Sequence, residues 1–352
     1  LKNIAIIVLN WQGWRDTLVC LTSLKQLAYA GFVTIIVCDN ASGDESVERI
    51  LTWAQENYAS WEIGQFEYLA DIAHFQPLSG ITQSPNFQFG VETSNQCQFG
   101  YSFVFIQTGA NLGFAGGNNV GIVYALQHRL SYDYLWLLNN DTYVDSQALT
   151  ALSQYALAHP RQALIGSTLI HWEERDIVQC AGGCHYFPWL TVFRQVYSGK
   201  PLETVMQYDE DKIKLDYVCG AALFLTTAAV RQIGLLNESY FLFYEELDYT
   251  QRLKQQSYEI GWCKNSWVYH KGSASVGSVK EGNREKLQRA NYYENLSTLK
   301  YTARFYPHLL PMVMILRAVL KALALLSRGD FYLFPPLFQA YHDFFCQMRK
   351  NQ

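Results

Sequence analysis

Four short segments hold the residues whose types and spacing could do chemistry. The first is Val37-Cys38-Asp39-Asn40-Ala41-Ser42, where a carboxylate closes an apolar run and can accept hydrogen bonds from a planar ligand edge. Asp also caps helices, so this segment alone decides little. The second is Asn111-Leu112-Gly113-Phe114-Ala115-Gly116-Gly117-Asn118-Asn119. Its glycines allow close backbone approach, and a helix starting after them would aim N–H groups at an anion. It is neither a Walker A loop nor a dinucleotide fingerprint, and a plain structural turn is the competing reading. The third is Trp136-Leu137-Leu138-Asn139-Asn140-Asp141-Thr142. An acid at the mouth of a buried strand can hold Mg²⁺ or Mn²⁺ beside a diphosphate, given a partner ligand. The fourth is Phe241-Leu242-Phe243-Tyr244-Glu245-Glu246-Leu247-Asp248, followed by Arg252 and then Val268-Tyr269-His270. Carboxylates this dense are costly to bury together, and their repulsion raises at least one pKa, as a general base requires. The competing reading is a helix N-terminus dressed with acids, which covers Asp248 and its i+4 partner Arg252.

These residues need elements to position them. Ile4–Leu9 is a short apolar run ending in Asn10-Trp11-Gln12-Gly13, and a helical stretch with Leu18, Leu21, Leu24 and Leu27 follows. Thr34–Cys38 is β-branched and continuous, as a strand covered on both faces should be. The next helix carries Val47, Ile50, Leu51 and Ala54, with Ser42 and Glu45 at capping-box spacing before it. Tyr101–Ile106 and Tyr134–Leu138 read as strands, with helices near Asn118–Gln127 and Ser146–Ala158. This alternation predicts an α/β fold with a doubly wound, mostly parallel central sheet flanked by helices. Ligands in such folds sit beyond the carboxyl ends of the strands. Asn10, Asp39 and Asn139-Asn140-Asp141 close three of those ends, more than ordinary loop polarity requires. Between Tyr58 and Gly100 the pattern lapses into an aromatic insertion of loops or a hairpin. Ala163 to His270 reads as strands and turns with one helix at Asp248–Gln255, and helix returns after Asn283.

Composition narrows the classes. Among 352 residues, 49% are hydrophobic and 16% charged, which excludes disorder. Residues 261–352 carry 13 Lys+Arg against 5 Asp+Glu, whereas 1–260 carry 14 against 26. An acidic body with a basic tail argues against a nucleic-acid protein. It suits a domain that meets an anionic membrane through one end, with a solvated imbalance as the alternative. The eight cysteines include no C-x-x-C pair, and several lie in apolar runs, which reads as buried reduced thiols and a cytoplasmic location. Cys180 and Cys184 flank Gly182-Gly183 beside His185, but zinc would need a second ligand pair, and a turn between two strands explains the glycines. Leu1–Leu9 reads as a strand and not as a signal peptide. The apolar run Leu309–Leu326 is broken by Pro311, Arg317 and Lys321, so an in-plane amphipathic helix fits it better than a membrane span. Phe331, Phe334, Leu337 and Phe338 around Pro335-Pro336 would add interfacial aromatics. A helical pair packed on the protein's own core has equal standing.

Taken in order, Val8-Leu9-Asn10-Trp11, Val37 to Ser42, Asn111 to Asn119, Leu137 to Thr142, Gly220-Ala221-Ala222, Tyr244 to Arg252 and His270 resemble the inverting GT-A-fold glycosyltransferases of family 2. The likeness is greatest to the bacterial rhamnosyltransferase-like branch and covers about residues 4–275. It implies a GT-A domain over 1–275, with 58–100 an insertion, and a helical, basic and apolar extension over 276–352.

By that resemblance Asp39 reads the pyrimidine of a nucleotide sugar, and Asn10 lines the same pocket. Asn111, Gly113, Gly116, Asn118 and Asn140 border the sugar-diphosphate. Asp141 occupies the second acid of a D-x-D motif, with Asn139 in place of the first, and looks like the ligand of a divalent cation, Mn²⁺ or Mg²⁺, partnered by His270. In Glu245-Glu246 the second residue stands where the family usually has a catalytic Asp. The implied activity moves a sugar, rhamnose by resemblance, from a pyrimidine nucleotide-sugar donor to a saccharide or lipid-linked acceptor in cell-surface polysaccharide synthesis. A lipid-linked acceptor would explain the basic, apolar tail, whose composition suggests membrane contact through 305–340. The alternative is a catalytically inactive nucleotide-sugar or glycan-binding homologue. A pyrimidine nucleotidyltransferase should carry a basic Gly-rich loop after the first strand, where this chain has Asn10-Trp11-Gln12-Gly13-Trp14.

Overall fold

A computed structural model describes residues 1–58, 61–65, 101–272 and 284–350. The N-terminal half alternates β1 (Ile4–Asn10), α1 (Trp14–Leu24), β2 (Val33–Asp39), α2 (Ser46–Asn57), β3 (Trp61–Gln65), β4 (Tyr101–Gln107), α3 (Gly113–Gln127) and β5 (Tyr134–Asn139). There follow β6 (Thr142–Val144), α4 (Ala148–Ala158), β7 (Gln162–His171), β8 (Val178–Ala181), β9 (Gly183–Phe187), β10 (Val192–Gln195), α5 (Leu202–Val205), β11 (Tyr217–Val218), β12 (Ala222–Thr226), α6 (Thr227–Ile233), α7 (Glu245–Gln255) and β13 (Glu259–His270). Three long helices close the described chain: α8 (Arg284–Phe305), α9 (Leu310–Arg328) and α10 (Phe334–Lys350).

The central sheet has the order β3-β4-β2-β1-β5-β12-β7-β13-β6, with β8 added to β7. Its first five strands are parallel. Beyond β5 it becomes mixed, because β12 enters antiparallel between β5 and β7. β1 and β2 are apolar along nearly their whole length because helices cover both faces. One core layer packs α1, α2 and α4 on the sheet and the other packs α3 and α6, so alternate residues of β1 face opposite layers (Ile4, Ile6 and Val8 against Ala5 and Ile7). A small second sheet, β10-β9-β11, is attached through the β8–β9 turn. That turn is the strand connection expected at Gly182-Gly183. Gly182 has φ of +75°, and a Cβ there would lie 2.6 Å from Trp262 Cβ. Only glycine fits both demands.

Four local expectations change. The glycine segment does not precede its helix but forms the first turns of α3. A Cβ on Gly117 would meet Leu9 Cδ1 at 2.4 Å, and one on Gly121 would meet Ile7 Cγ2 at 2.6 Å, so these two glycines let α3 lie close on β1. The Ser42–Glu45 capping box does not form. Glu45 is the N-cap of α2 without a side-chain bond, and Ser42 Oγ instead accepts from the Gln12 backbone N–H at 2.8 Å. The helix expected from Asp248 begins one turn earlier, at Glu245. Helix α6, which the sequence reading passed over, is capped by Thr226 and closed by Gly234 at φ +88°.

The expected insertion at Tyr58–Gly100 lies outside the described residues except for Tyr58 and β3, which is a parallel edge strand on β4. Arg317 and Lys321 do share a face of α9, but they point inward. Arg317 is 7% exposed and donates to Asn295 Oδ1, Thr191 Oγ1 and Glu294 Oε1, and Lys321 also reaches Glu294.

Candidate active site

The carboxyl ends of β1 and β2 are in register, so Asn10 stands beside Asp39 and both are fully buried. Asn10 Nδ2 donates to Asp39 Oδ1 at 2.7 Å, and the Ser42 backbone N–H donates to Asp39 Oδ2 at 3.0 Å. Asn10 Oδ1 accepts from Thr17 Oγ1, which in turn accepts from Asn140 Nδ2 at 3.0 Å. One hydrogen-bonded chain therefore joins three strand ends, through Asp39, Asn10 and Asn140. Thr17 is the link that sequence reasoning missed, since a Thr on a first helical turn carries no signal of its own.

The second segment is pinned from β2. Asn40 Oδ1 accepts from the Leu112 N–H, and Asn40 Nδ2 donates to Asn111 Oδ1 and to the Gly113 carbonyl. Asn111 also accepts from the Gly113 N–H, and Asn118, 1% exposed, donates to the Phe114 carbonyl one turn back. Gly113 has φ of +71°, and a Cβ there would fall 2.3 Å from the Phe241 carbonyl oxygen. A Cβ on Gly116 would meet Leu112 Cβ at 2.7 Å. These residues thus shape the loop and bring it against the chain just before Glu245-Glu246.

Beyond β7, β13 pairs with β6 so that His270 faces Thr142. The His270 Nε2 atom lies 3.3 Å from Asp141 Oδ1, and Nδ1 bonds Gln179 Oε1 at 2.7 Å. With Nδ1–H donating to Gln179 Oε1, Nε2 is aimed at the Asp141 carboxylate, to which the protonated ring donates. Burial alone would lower the His270 pKa, but the hydrogen bond and charge of Asp141 outweigh it and hold it above the ordinary 6.5. Gln179 on β8 is a second partner that the sequence did not disclose, because only the β7–β8 pairing brings it here.

The strand carrying Asn139-Asn140-Asp141 meets the Glu pair through β12. The Asn139 N–H donates to the Ala221 carbonyl at 3.0 Å, and a Cβ on Gly220 would lie 3.8 Å from Glu246 Oε1. Cys219, next in line, lies within electrostatic reach of both His270 and Glu246. Segments 139–141, 219–221, 246 and 270 therefore converge.

Glu245 and Glu246 open α7 behind Phe243 and Tyr244, both at positive φ (68° and 72°), the left-handed region that costs side-chain-bearing residues about 1 kcal/mol or more. Helix α8 holds this turn. Ser297 Oγ donates to the Leu242 carbonyl at 2.9 Å, and Thr298 Oγ1 donates to Tyr244 Oη at 3.0 Å. Tyr186 and Tyr301 pack on the Tyr244 ring. One carboxyl oxygen of each Glu is buried without a hydrogen-bond partner. Burial pushes Glu246 up to about 7, with Cys219 adding to it, and burial together with the charge of Glu246 raises Glu245. Asp248 faces away and pairs with Arg252 at 2.6 Å and Arg304 at 3.0 Å, as its i+4 spacing foretold for Arg252.

Among the described residues no group of three or more His, Cys, Asp or Glu side chains is arranged to enclose a metal. Asp141 and His270 supply one oxygen and one nitrogen donor, a pair that suits Mn²⁺ or Mg²⁺ when phosphate and water oxygens complete the shell.

This architecture is the GT-A fold of nucleotide-sugar glycosyltransferases. The mannosyltransferase PcManGT from Pyrobaculum calidifontis, solved with GDP-Man and Mn²⁺, aligns over 98% of this chain and 87% of its own at a TM-score of 0.50 and 11% identity. GalNAc-T7, solved with UDP, GalNAc and Mn²⁺, aligns over 85% of this chain and 51% of its own at 0.52 and 11% identity. In sequence, the low-salt glycan biosynthesis hexosyltransferase Agl10 of Haloferax volcanii is 27% identical over 167 residues, which is 46% of this chain. The match spans about half of that relative's length (49%). No protein-family model matches the chain. The fold expectation is met, and the hexosyltransferase match agrees with the family 2 resemblance read from the motifs.

Proposed function

We propose that the protein is an inverting glycosyltransferase of glycan biosynthesis that moves a sugar from a nucleotide-sugar donor to a hydroxyl of a saccharide or lipid-linked glycan. The observation that carries this reading is the convergence of Asp141, His270 and Glu246, 3.3 Å separating the first two, at the carboxyl ends of a GT-A sheet. Glu246 accepts the proton of the acceptor hydroxyl. The acceptor oxygen forms its bond to the anomeric carbon as the bond to the diphosphate oxygen breaks on the opposite face. Nucleoside diphosphate leaves with the electron pair, and the configuration inverts. A carboxyl pushed up to about 7 is matched to taking a proton near neutral pH.

Asp141 and His270 would hold a divalent cation, and Gln179 would fix the imidazole tautomer. Such a cation, when bound, neutralises charge on the departing diphosphate. The Asp39–Asn10–Thr17–Asn140 chain supports a donor pocket at the β1–β2 ends, and Asn111, Gly113, Gly116 and Asn118 set its far wall. Pyrimidine and rhamnose are the proposed donor base and sugar, by resemblance alone.

A panel of UDP-, dTDP- and GDP-sugars, incubated with the protein with Mn²⁺ or with chelator, tests this reading. The expected result is nucleoside diphosphate release and thermal stabilisation with a pyrimidine donor, both reduced by chelator. Thermal stabilisation without any turnover, across acceptors, would favour the inactive sugar-nucleotide-binding homologue.

A further inference from the structure

Helix α9 is built inside out for a helix that meets water. At 3.6 residues per turn, Ile315, Val319 and Leu323 fall on the side opposite Arg317 and Lys321. The charged side is turned into the protein, where both cations reach Glu294 of α8. The apolar side is left outside, with Ile315 69% and Leu323 58% exposed.

The exposure is shared with one other element. Every large hydrophobic residue exposed among the described ones, apart from Leu1, Val19 and Leu157, lies either in 312–348 or in the β9–β10 hairpin at 187–193. In the hairpin, Trp189 is 52% and Phe193 62% exposed. The two regions adjoin, because Arg317 Nη1, on the inner side of α9, donates to the buried Thr191 Oγ1 at the hairpin tip at 2.9 Å. Neither 187–195 nor 307–328 contains an acidic residue, and Arg194 and Arg328 are exposed there.

We propose that the β9–β10 hairpin and the outer face of α9 form one docking surface for an anionic lipid bilayer, lying in its interface. Exposed Trp and Phe beside an apolar helix face, in two segments that carry Arg but no acidic residue, match the headgroup boundary and its negative potential. Helix α9 is long and apolar enough to span a bilayer by composition. A spanning position would carry Glu294 and polar α8, with the catalytic turn it holds, into hydrocarbon. Lying flat keeps α8 on the water side. It also sets the turn before Glu245-Glu246 one helix away from the membrane plane, where a lipid-linked acceptor would arrive. That last consequence rests on the transferase reading, whereas the surface itself does not.

Flotation of the full chain with phosphatidylcholine vesicles, with or without one quarter phosphatidylglycerol and with no sugar nucleotide present, tests it. The expected result is partition into the anionic vesicles that falls at least tenfold in an Ile315→Glu/Val319→Glu variant. A Trp189→Ser/Phe193→Ser variant, which changes only exposed hairpin residues, should lose several-fold. Both variants should keep wild-type nucleoside diphosphate release. Wild-type protein that stays out of anionic vesicles, or variants that float as well as wild type, would overturn the proposal. So would a wild-type dimer that ignores vesicles and becomes monomeric in both variants, which would assign the surface to a second copy of the chain. Vesicle binding without donor turnover would leave the surface standing and remove the transferase reading.

Discussion

At the scale of single residues, the site rests on two adjacent carboxyl groups, each with one oxygen buried and unpartnered. Burial lifts Glu246 from an ordinary 4.5 to about 7. In the role proposed for Glu246 the deprotonated form is the base, so kcat/KM should rise with pH and level off above about 7. Glu246→Gln should lower it by about 10²–10⁴-fold across the profile. The sign for stability is the reverse. A raised carboxyl pKa means that the charged form is penalised in the folded state, so stability falls as pH rises from about 4.5 to about 7. The same Glu246→Gln variant, free of that penalty, should then be more stable than wild type at pH 8 by about 2–3 kcal/mol in urea unfolding. A variant that loses activity and stability together would mark Glu246 as structural. The Asp39 carboxylate accepts from Asn10 Nδ2 and the Ser42 N–H. Asp39→Ala leaves those donors unpaired and should cost about 1–3 kcal/mol besides raising the KM for the donor.

Elements account for what the sequence made legible and what it hid. The strands of the parallel half were readable because helices cover both faces, leaving β-branched apolar runs such as Val33–Cys38 with polar residues only at their ends. Candidate residues at those ends could be named for the same reason. The helix starts were not readable. Ser42 fits a capping box by spacing, but its hydroxyl has stronger claims from Gln12 and Asn10, and the glycines of α3 fit a phosphate loop by type while serving close packing on Leu9 and Ile7. Long-range partners were hidden too, Gln179 behind a strand pairing and Thr298 behind a helix contact. Helix α8 grips the left-handed turn at Phe243–Tyr244, so the geometry of the Glu pair depends on a residue more than fifty positions away. Thr298→Val, which removes the bond to Tyr244 Oη, should lower kcat about 5–10-fold with little change in the donor KM, and Thr298→Ser should restore it. A loss confined to KM would mean that the turn keeps its shape without the clamp.

Across the whole molecule, the C-terminal helices belong to the catalytic body through a buried polar junction. Arg317 joins α9 to Asn295 and Glu294 of α8 and to Thr191 of the hairpin. Arg317→Ala removes the bonds to Asn295 and Thr191 and leaves Glu294 with Lys321 alone. It should cost about 2–4 kcal/mol in denaturant unfolding, less if water reaches the half-exposed Glu294. Amphipathic spacing in the sequence put Arg317 and Lys321 on one side of the helix, but it says which residues share a side and not which side meets the protein. The convergence of Asp141, His270 and Glu246 around one sugar-transfer centre is most directly tested by NMR of the transferred sugar's anomeric configuration, in wild type and in Asp141→Asn and Glu246→Gln. The account predicts a product inverted relative to the donor, formed at least a hundredfold more slowly by either variant. Retention of configuration, or wild-type rates in both variants, would contradict it.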